Sequence, residues 1–272
     1  MTDKTIAPRK QKELTGLSAF YFIISVLLIR FFINLLTSVA LEINDISFEY
    51  RLFGNIFHSQ SGSHWTTEKI FLIYAFIPAG VFVLGILLFR ALKANSKFTW
   101  KERLLLSWLA FVMVNQLPFR FVAGTFLFSG FGFAYITFIP SLVVRIVLSL
   151  FVVIIAVILR IHWIELFLRT SFTAKIFDNV ESIKNFVSRV FILPWIIGFF
   201  VLILFTFTGH YWAWLIMLGA MGAVVTPVFN GLLPVQSPKI RKSDKVIFSR
   251  RHVFIRYAIV IVLLLFLSTI GI

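Results

Sequence analysis

The sequence predicts an all-α fold: a polytopic transmembrane helix bundle with about seven crossings. Hydrophobic residues make up 60% of the 272 residues and charged residues only 14%. A soluble domain of this length needs far more polar surface, so we interpret residues 1–272 as a single integral membrane domain. The absence of cysteine excludes disulfides and thiol chemistry.

Seven apolar runs define the predicted spans, because one crossing requires about 20 apolar residues. The runs lie at 17–41, 70–89, 104–137, 139–159, 190–208, 211–233 and 253–271. Six of them fit a single crossing each. The run at 104–137 is too long for one crossing and barely long enough for two.

The positive charges decide how often this run crosses. The net charge of +15 is spread over short segments between apolar runs, a pattern typical of cytoplasmic loops rather than of nucleic-acid binding. If 104–137 crosses once, most Lys and Arg share one side. The segments on that side are then the tail 1–16, the link 90–103, and the loops 160–189 and 234–252. We therefore predict a cytoplasmic N-terminus, an outer loop at 42–69 and an outer C-terminus.

A break is predicted inside the third run, in the stretch VNQLPFRFVAGTFLFSGFGF. Pro118 lacks a backbone donor and clashes with the carbonyl of Val114. We expect 118–137 to be broken from the helix, as a bent continuation, a re-entrant segment or an outer-leaflet hairpin. The glycines that follow permit close approach of backbones. The alternative is one long tilted helix kinked at the proline.

A second local prediction concerns the loop at 160–189. Its apolar residues recur at spacings of four, four, three and four, which indicates an amphipathic helix at 172–187. These residues are Phe172, Ile176, Val180, Ile183 and Val187. Such a helix is expected to lie on the inner leaflet, or to dock a cytoplasmic partner.

Polar side chains at membrane depth are the candidate site. We expect Arg30, Asn34, Asn115, Gln116, Arg120 and Asn230 to line one polar intramembrane cavity. Since no acidic residue lies inside a predicted span, the arginines bind an anionic solute or headgroup, or pair with backbone carbonyls. Arg145 is expected to snorkel to the outer interface.

Small residues in the sixth run predict close helix packing. Gly219, Gly222 and Ala223 belong to small-xxx-small pairs, which allow two helices to approach closely.

Motifs for catalysis are absent from the sequence. It contains no His-Glu-x-x-His, no Gly-x-Ser-x-Gly and no phosphate-binding loop. His58 and His64 share the outer loop, but their six-residue spacing without a helix makes them weak metal candidates. We expect no metal, no cofactor and no enzymatic activity.

Two functional classes follow from these observations. The first is a non-catalytic membrane subunit or scaffold in a bacterial inner (cytoplasmic) membrane, with the lipid bilayer and other membrane subunits as partners. The second is a permease or lipid-handling protein with an arginine-lined site for an anionic solute or headgroup. Missing internal repeats and missing coupling carboxylates favour the first class. Nucleic acid is not an expected partner.

Overall fold

A computed structural model describes most of the chain. The described residues are 8–49, 56–57, 65–95, 98–127, 131–171, 180–206 and 212–225.

The described chain is helical apart from one short antiparallel pairing, which confirms the predicted all-α class. The helices are α1 (Pro8–Ile43), α2 (Thr67–Phe71), α3 (Ile77–Ala94), α4 (Trp100–Phe126), α5 (Phe131–Phe138), α6 (Leu142–Ile158), α7 (Arg160–Leu168), α8 (Val180–Val187), α9 (Leu193–Thr206) and α10 (Trp212–Val225). Two π-helical turns, Leu72–Phe76 and Ser188–Ile192, join α2 to α3 and α8 to α9. The short strands β1 (Phe48–Glu49) and β2 (Ile56–Phe57) pair with each other.

Five continuous helical segments in the described part are long and apolar enough to cross a membrane. They are Lys12–Ile43, Thr67–Ala94, Trp100–Phe126, Leu142–Leu168 and Val180–Leu204. Each exceeds the length of about 20 residues that a crossing requires. The sixth predicted run is described only as the 14 residues of α10, and 253–271 lies outside the described residues. Seven crossings therefore stay a prediction.

Helix α4 begins at a capping box. The Thr99 hydroxyl accepts a hydrogen bond from the Glu102 backbone N–H, and the Glu102 carboxylate accepts one from the Thr99 backbone N–H. This exchange satisfies two backbone donors that no helical carbonyl can reach.

The same helix runs through Pro118 to Phe126, so the break predicted at Pro118 is wrong. A proline inside a helix costs about 3 kcal/mol or more. Burial of the neighbouring Phe119 and Ala123 opposes that cost. A continuous helix also keeps nearly all backbone groups bonded, which a bilayer demands. The helix ends at Phe126, so the alternative of one long helix over 104–137 is not what the structure shows either.

A short helix follows and folds against the end of α4. The backbone is extended at Leu127, and a Cβ added to Gly132 would overlap the Leu127 carbonyl oxygen. A Cβ at Gly124 would lie 3.0 Å from the Gly132 Cα. The first close approach requires glycine, and the second leaves little room for a side chain. The eight residues of α5 span roughly 12 Å, too little to cross a bilayer, and a re-entrant form of 118–137 is not confirmed.

Helices occupy both described flanks of the predicted 160–189 loop. Helix α7 continues α6 into the bundle, where Ile164 and Phe167 are fully buried. On the other side, α8 leads through a π-helical turn into α9. Of the predicted amphipathic face, Ile183 and Val187 are buried in the bundle and Val180 is exposed. Residues 172–179 lie outside the described chain.

Side-chain contacts fix the direction of α3 relative to α4. Gly85 lies against Met113, and the Leu92 carbonyl accepts a hydrogen bond from Arg103. A later residue of α3 therefore meets an earlier residue of α4, so the two helices are antiparallel.

Helices α6 and α7 are antiparallel to α4 as well. The Thr125 and Ser149 hydroxyls are 2.6 Å apart, and the Trp108 and Phe167 rings are 4.7 Å apart. Run 104–137 thus contains one membrane-length helix flanked by antiparallel partners.

The bundle has two ends that differ in charge. The first, called the basic end here, holds Lys93, Arg103 and Arg169, which lie together. The second, called the α5 end, holds α5 and the start of α2, where Phe71 contacts Phe138 at 5.6 Å. Helix α1 ends there too, because Leu41 packs in one cluster with Ile73.

Aromatic rings fill the half of the bundle nearer the basic end. Trp108 lies at the centre, with the rings of Phe22, Phe111, Phe167 and Phe191 between 4.7 and 5.6 Å away. These separations are those of favourable aromatic pairs. Contacts between these rings therefore pack this half of the bundle closely.

One hydrogen-bond chain ties three helical segments together inside this aromatic core. The Trp108 indole N–H donates to the Ser18 hydroxyl at 2.8 Å, and that hydroxyl donates to the Val190 carbonyl at 2.5 Å. Both polar side chains are thereby satisfied where no water reaches them.

Helix α6 presents an apolar face without a partner among the described elements. Its most exposed residues are Leu142, Val143, Val147, Leu150, Phe151, Ile154 and Ile158. A patch of this kind on a water-soluble protein would cause association. On a helix of membrane length, such a face is compatible with contact to lipid.

Candidate anion site within the bundle

The charged cluster at the basic end stabilises the end of α3. Arg103 is only 7% exposed and donates to the carbonyls of Leu92 at 3.2 Å and Asn95 at 2.7 Å. Arg169 donates to the Lys93 carbonyl at 2.8 Å. Carbonyls at a helix C-terminus have no helical partner and favour nearby positive charge.

Glu165 completes this cluster. Its carboxylate oxygens lie 2.7 Å from the Lys93 ammonium and 2.7 Å from the Arg169 guanidinium. The apolar runs place residue 165 outside the predicted spans, whereas in the structure it lies within the membrane-length helix Leu142–Leu168. The available signal was the four-residue spacing of Glu165 and Arg169, which favours an ion pair on a helix.

Gln116 is the most unusual polar residue on α4. It is 1% exposed, and neither its amide oxygen nor its amide nitrogen has a hydrogen-bond partner. Buried polar groups are almost always bonded, and each unsatisfied group costs about 1–3 kcal/mol. The side chain therefore offers one free acceptor and two free donors to a group that fits beside it.

Arg120 follows Gln116 by one helical turn, so both lie on the same side of α4. Its Nε is buried without a hydrogen-bond partner. Within the described ranges, no carboxylate pairs with Arg120. The residue as a whole is partly exposed, but a guanidinium atom buried in apolar surroundings is stable only if an acceptor satisfies it. Gln116 and Arg120 together form what is called the Gln116–Arg120 site below.

Asn115, Asn34 and Arg30 were predicted to share a cavity with Gln116 and Arg120. Asn115 is buried and donates to the Phe111 carbonyl of its own helix at 2.8 Å. On α1, Asn34 is buried and Arg30 is partly exposed. A common cavity for all of these residues stays a prediction.

Arg30 and Arg120 nevertheless lie at a similar depth. Helices α1 and α4 both run toward the α5 end, and Ser18 contacts Trp108. Arg30 lies twelve residues after Ser18 on α1, and Arg120 lies twelve residues after Trp108 on α4. Each arginine is therefore roughly 18 Å beyond that contact along its helix.

Three other predicted residues, Asn230, His58 and His64, lie outside the described residues. Among the side chains that the structure does describe, no group of three or more His, Asp or Glu is placed to hold a metal ion.

Arg145 is buried, so the prediction that it snorkels to the interface is wrong. It is 6% exposed, and its Nε and Nη1 atoms are buried without partners. The reason is α5, which folds back over the end of the helices and places Tyr135 beside Arg145. Sequence reasoning could not supply this tertiary contact.

Hydroxyl groups surround the Arg145 backbone. The Tyr135 hydroxyl donates to the Arg145 carbonyl at 3.2 Å, and Ser149 donates to the Phe121 carbonyl at 3.1 Å. Burial raises the pKa of Tyr135 above its ordinary value, although a hydrogen bond with Ser149 and the charge of Arg145 act in the opposite direction. The tyrosine therefore stays protonated and continues to donate.

Arg145 and the Gln116–Arg120 site lie on different sides of α4. Helix α6 contacts α4 at Thr125. At about 100° per residue, Arg120 is rotated from Thr125 by about 140° and Gln116 by about 180°. The two groups of unpartnered polar atoms are therefore separate.

The small residues of α10 lie against α9. A Cβ on Gly222 would come within 2.6 Å of the Trp195 ring, whereas one on Gly219 would lie 3.7 Å from Phe199. Of this pair, only Gly222 is required by close packing. The structure does not describe the side chain of Ala223.

Comparisons with protein-family models, with curated proteins and with solved structures find no match for this chain. The function must therefore be argued from the geometry of its own residues.

Proposed function

We propose that this protein is a multi-pass membrane protein that binds an anionic solute or an anionic lipid headgroup at the Gln116–Arg120 site. The observation that carries the proposal is the absence of any partner for the buried Gln116 amide and the Arg120 Nε. The arginine requires a negative charge, and the amide requires both a donor and an acceptor. The ligand is therefore an anion that also carries a hydroxyl or ammonium group.

The proposed site opens toward the α5 end. Arg120 lies roughly 18 Å beyond Trp108 along α4, and the aromatic core around Trp108 fills the bundle on the side of the basic end. By the positive-inside rule we assign the basic end to the cytoplasm and the α5 end to the outside of a bacterial inner membrane. Ligand would then enter from the outer leaflet.

The proposed role is binding or permeation rather than catalysis. The site offers a guanidinium and an amide, but its two residues supply neither a nucleophile nor a general base. This limits the chemistry of the Gln116–Arg120 site to recognition of its ligand.

Matched anions test the proposal in the purified full-length protein. We expect glycerol 3-phosphate to raise the melting temperature more than propyl phosphate, and lactate more than propionate, because only the first of each pair satisfies the Gln116 oxygen. Binding to the folded state stabilises by mass action.

Three variants assign this preference to the site. Gln116→Leu and Arg120→Gln are expected to abolish the extra stabilisation by the hydroxylated anions, whereas Arg145→Gln keeps it. Arg120→Gln is expected to fold, since it removes a buried charge and leaves none unpaired. A preference that persists in both Gln116→Leu and Arg120→Gln would show that the anions bind elsewhere.

A non-catalytic subunit or scaffold is the second candidate, favoured by the packing of α9 on α10. Gly222 fits so closely against Trp195 that a single methyl group would clash, as expected for a bundle with one fixed arrangement. A scaffold would show no anion preference and would copurify with a membrane partner in fixed stoichiometry from mild detergent.

A further inference from the structure

The Arg145 backbone is held by side chains of neighbouring helices, but part of its guanidinium group has no hydrogen-bond partner. Hydroxyl contacts from Tyr135 and Thr125 reach its backbone carbonyl, at 3.2 and 3.5 Å. Thr125 also contacts Ser149, one turn further along α6. Side chains of α4 and α5 thus contact the backbone of Arg145 on α6, while its Nε and Nη1 remain without a partner and the residue is 6% exposed.

The charge lies near the beginning of α6. Arg145 is the fourth residue of this helix, which starts at Leu142 with Ser141 as its cap. Side chains on a helix tilt toward its N-terminus, so the Arg145 side chain lies over the first turn of α6 and on the same face as Ser141, one turn before it. The N-terminal backbone N–H groups of a helix also attract anions. Two independent features therefore favour a negative ligand at the same place.

The surface beside this place is apolar. Leu142 is 51% and Val143 70% exposed, and both precede Arg145 on α6. An acyl chain would pack on these side chains while an anionic group bound the arginine. Phosphate suits a guanidinium better than a compact cation does, because its oxygens match the planar array of N–H donors.

We propose that Arg145 and the N-terminus of α6 bind a phosphate group at the α5 end of the bundle. The phosphate belongs either to a phospholipid headgroup or to a small phosphorylated solute. This site is separate from the Gln116–Arg120 site, and its existence does not depend on the function proposed for that site.

Thermal unfolding of the full-length protein in detergent tests the site with defined probes. The probes are inorganic phosphate, phosphatidylglycerol in mixed micelles, and diacylglycerol, which has acyl chains but no phosphate. We expect a saturable rise in melting temperature with phosphatidylglycerol and none with diacylglycerol. A rise with inorganic phosphate as well indicates a solute site, and a rise with phosphatidylglycerol alone indicates a headgroup site.

Variants of Arg145 decide whether this residue is responsible. The comparison is made in an Arg120→Gln background, which removes anion binding at the Gln116–Arg120 site. In that background the rise is expected with Arg145 present and is expected to be lost in Arg145→Gln. Arg145→Lys retains the charge without the planar donors and is expected to need about tenfold more of the effective probe for half the effect, the equivalent of one charge-assisted hydrogen bond. If Arg145→Gln does not fold, Arg145→Lys decides alone. The proposal is overturned if neither phosphate probe stabilises the wild type, or if the Arg145 variants respond as the wild type does.

Discussion

Gly219 and Gly222 are separated by one helical turn on α10 but have different neighbours. A methyl group at Gly222 would press into the Trp195 ring at 2.6 Å, and one at Gly219 would make ordinary contacts at 3.7 Å. We expect Gly222→Ala to destabilise the protein by about 1–3 kcal/mol, the usual cost of overpacking.

Gly219→Ala is the matched control. It adds the same methyl group to the same helix without a clash, and it gains up to about 1 kcal/mol of helix propensity. Thermal unfolding in detergent measures both variants. Equal melting temperatures for the two would contradict the close approach of α9 and α10 at Gly222.

The sequence identifies part of the candidate site at the level of single residues. Gln116 and Arg120 are conspicuous because polar groups are costly at membrane depth, and they lie on a buried helix as that argument requires. Arg145 and Glu165 were misjudged because their surroundings come from distant segments. Tyr135 of α5 contacts Arg145, and Lys93 of α3 pairs with Glu165.

At the scale of elements, α4 tests how a bundle accommodates a proline. We expect Pro118→Ala to leave the protein folded and to stabilise it by about 0.5–1.5 kcal/mol, because the Val114 carbonyl regains a backbone hydrogen bond.

Ala123→Pro provides the comparison on the same helix. Ala123 is buried within the same helix. A proline there would remove a backbone hydrogen bond and clash with the preceding turn, so the substitution is expected to cost about 3 kcal/mol or more. Melting temperatures of the two variants measure the difference. Loss of folding in Pro118→Ala would mean that the proline itself defines the path of α4.

Hydrophobic runs predict which segments are helical better than they predict where helices end. The five membrane-length segments each overlap a predicted run, since apolar length is a local property of the sequence. The break at Pro118 was mispredicted, and the helix of the fourth run continues past residue 159 to Leu168. In both places buried side chains, such as Phe119 and Phe167, extend the helix beyond what the local pattern indicates.

At the scale of the whole molecule, charge separates the two ends of the bundle. Lys93, Arg103 and Arg169 gather where α3 ends, α4 begins and α7 ends. The described residues at the α5 end instead carry both signs of charge, with Glu42, Asp45 and Glu68 beside Lys69 and Arg145. This asymmetry is the basis for assigning a cytoplasmic side, from which the outer position of both proposed anion sites follows.

Thiol labelling tests this orientation most directly, because the chain has no cysteine and every introduced thiol is unique. Asn95→Cys, Ser182→Cys and Ser61→Cys are expressed separately and treated with a membrane-impermeant maleimide. We expect Ser61→Cys to react in intact cells, and Asn95→Cys and Ser182→Cys only after the cytoplasmic face is opened. Reaction of Asn95→Cys and Ser182→Cys from opposite sides would contradict the single crossing of 104–137 and, with it, the proposed orientation.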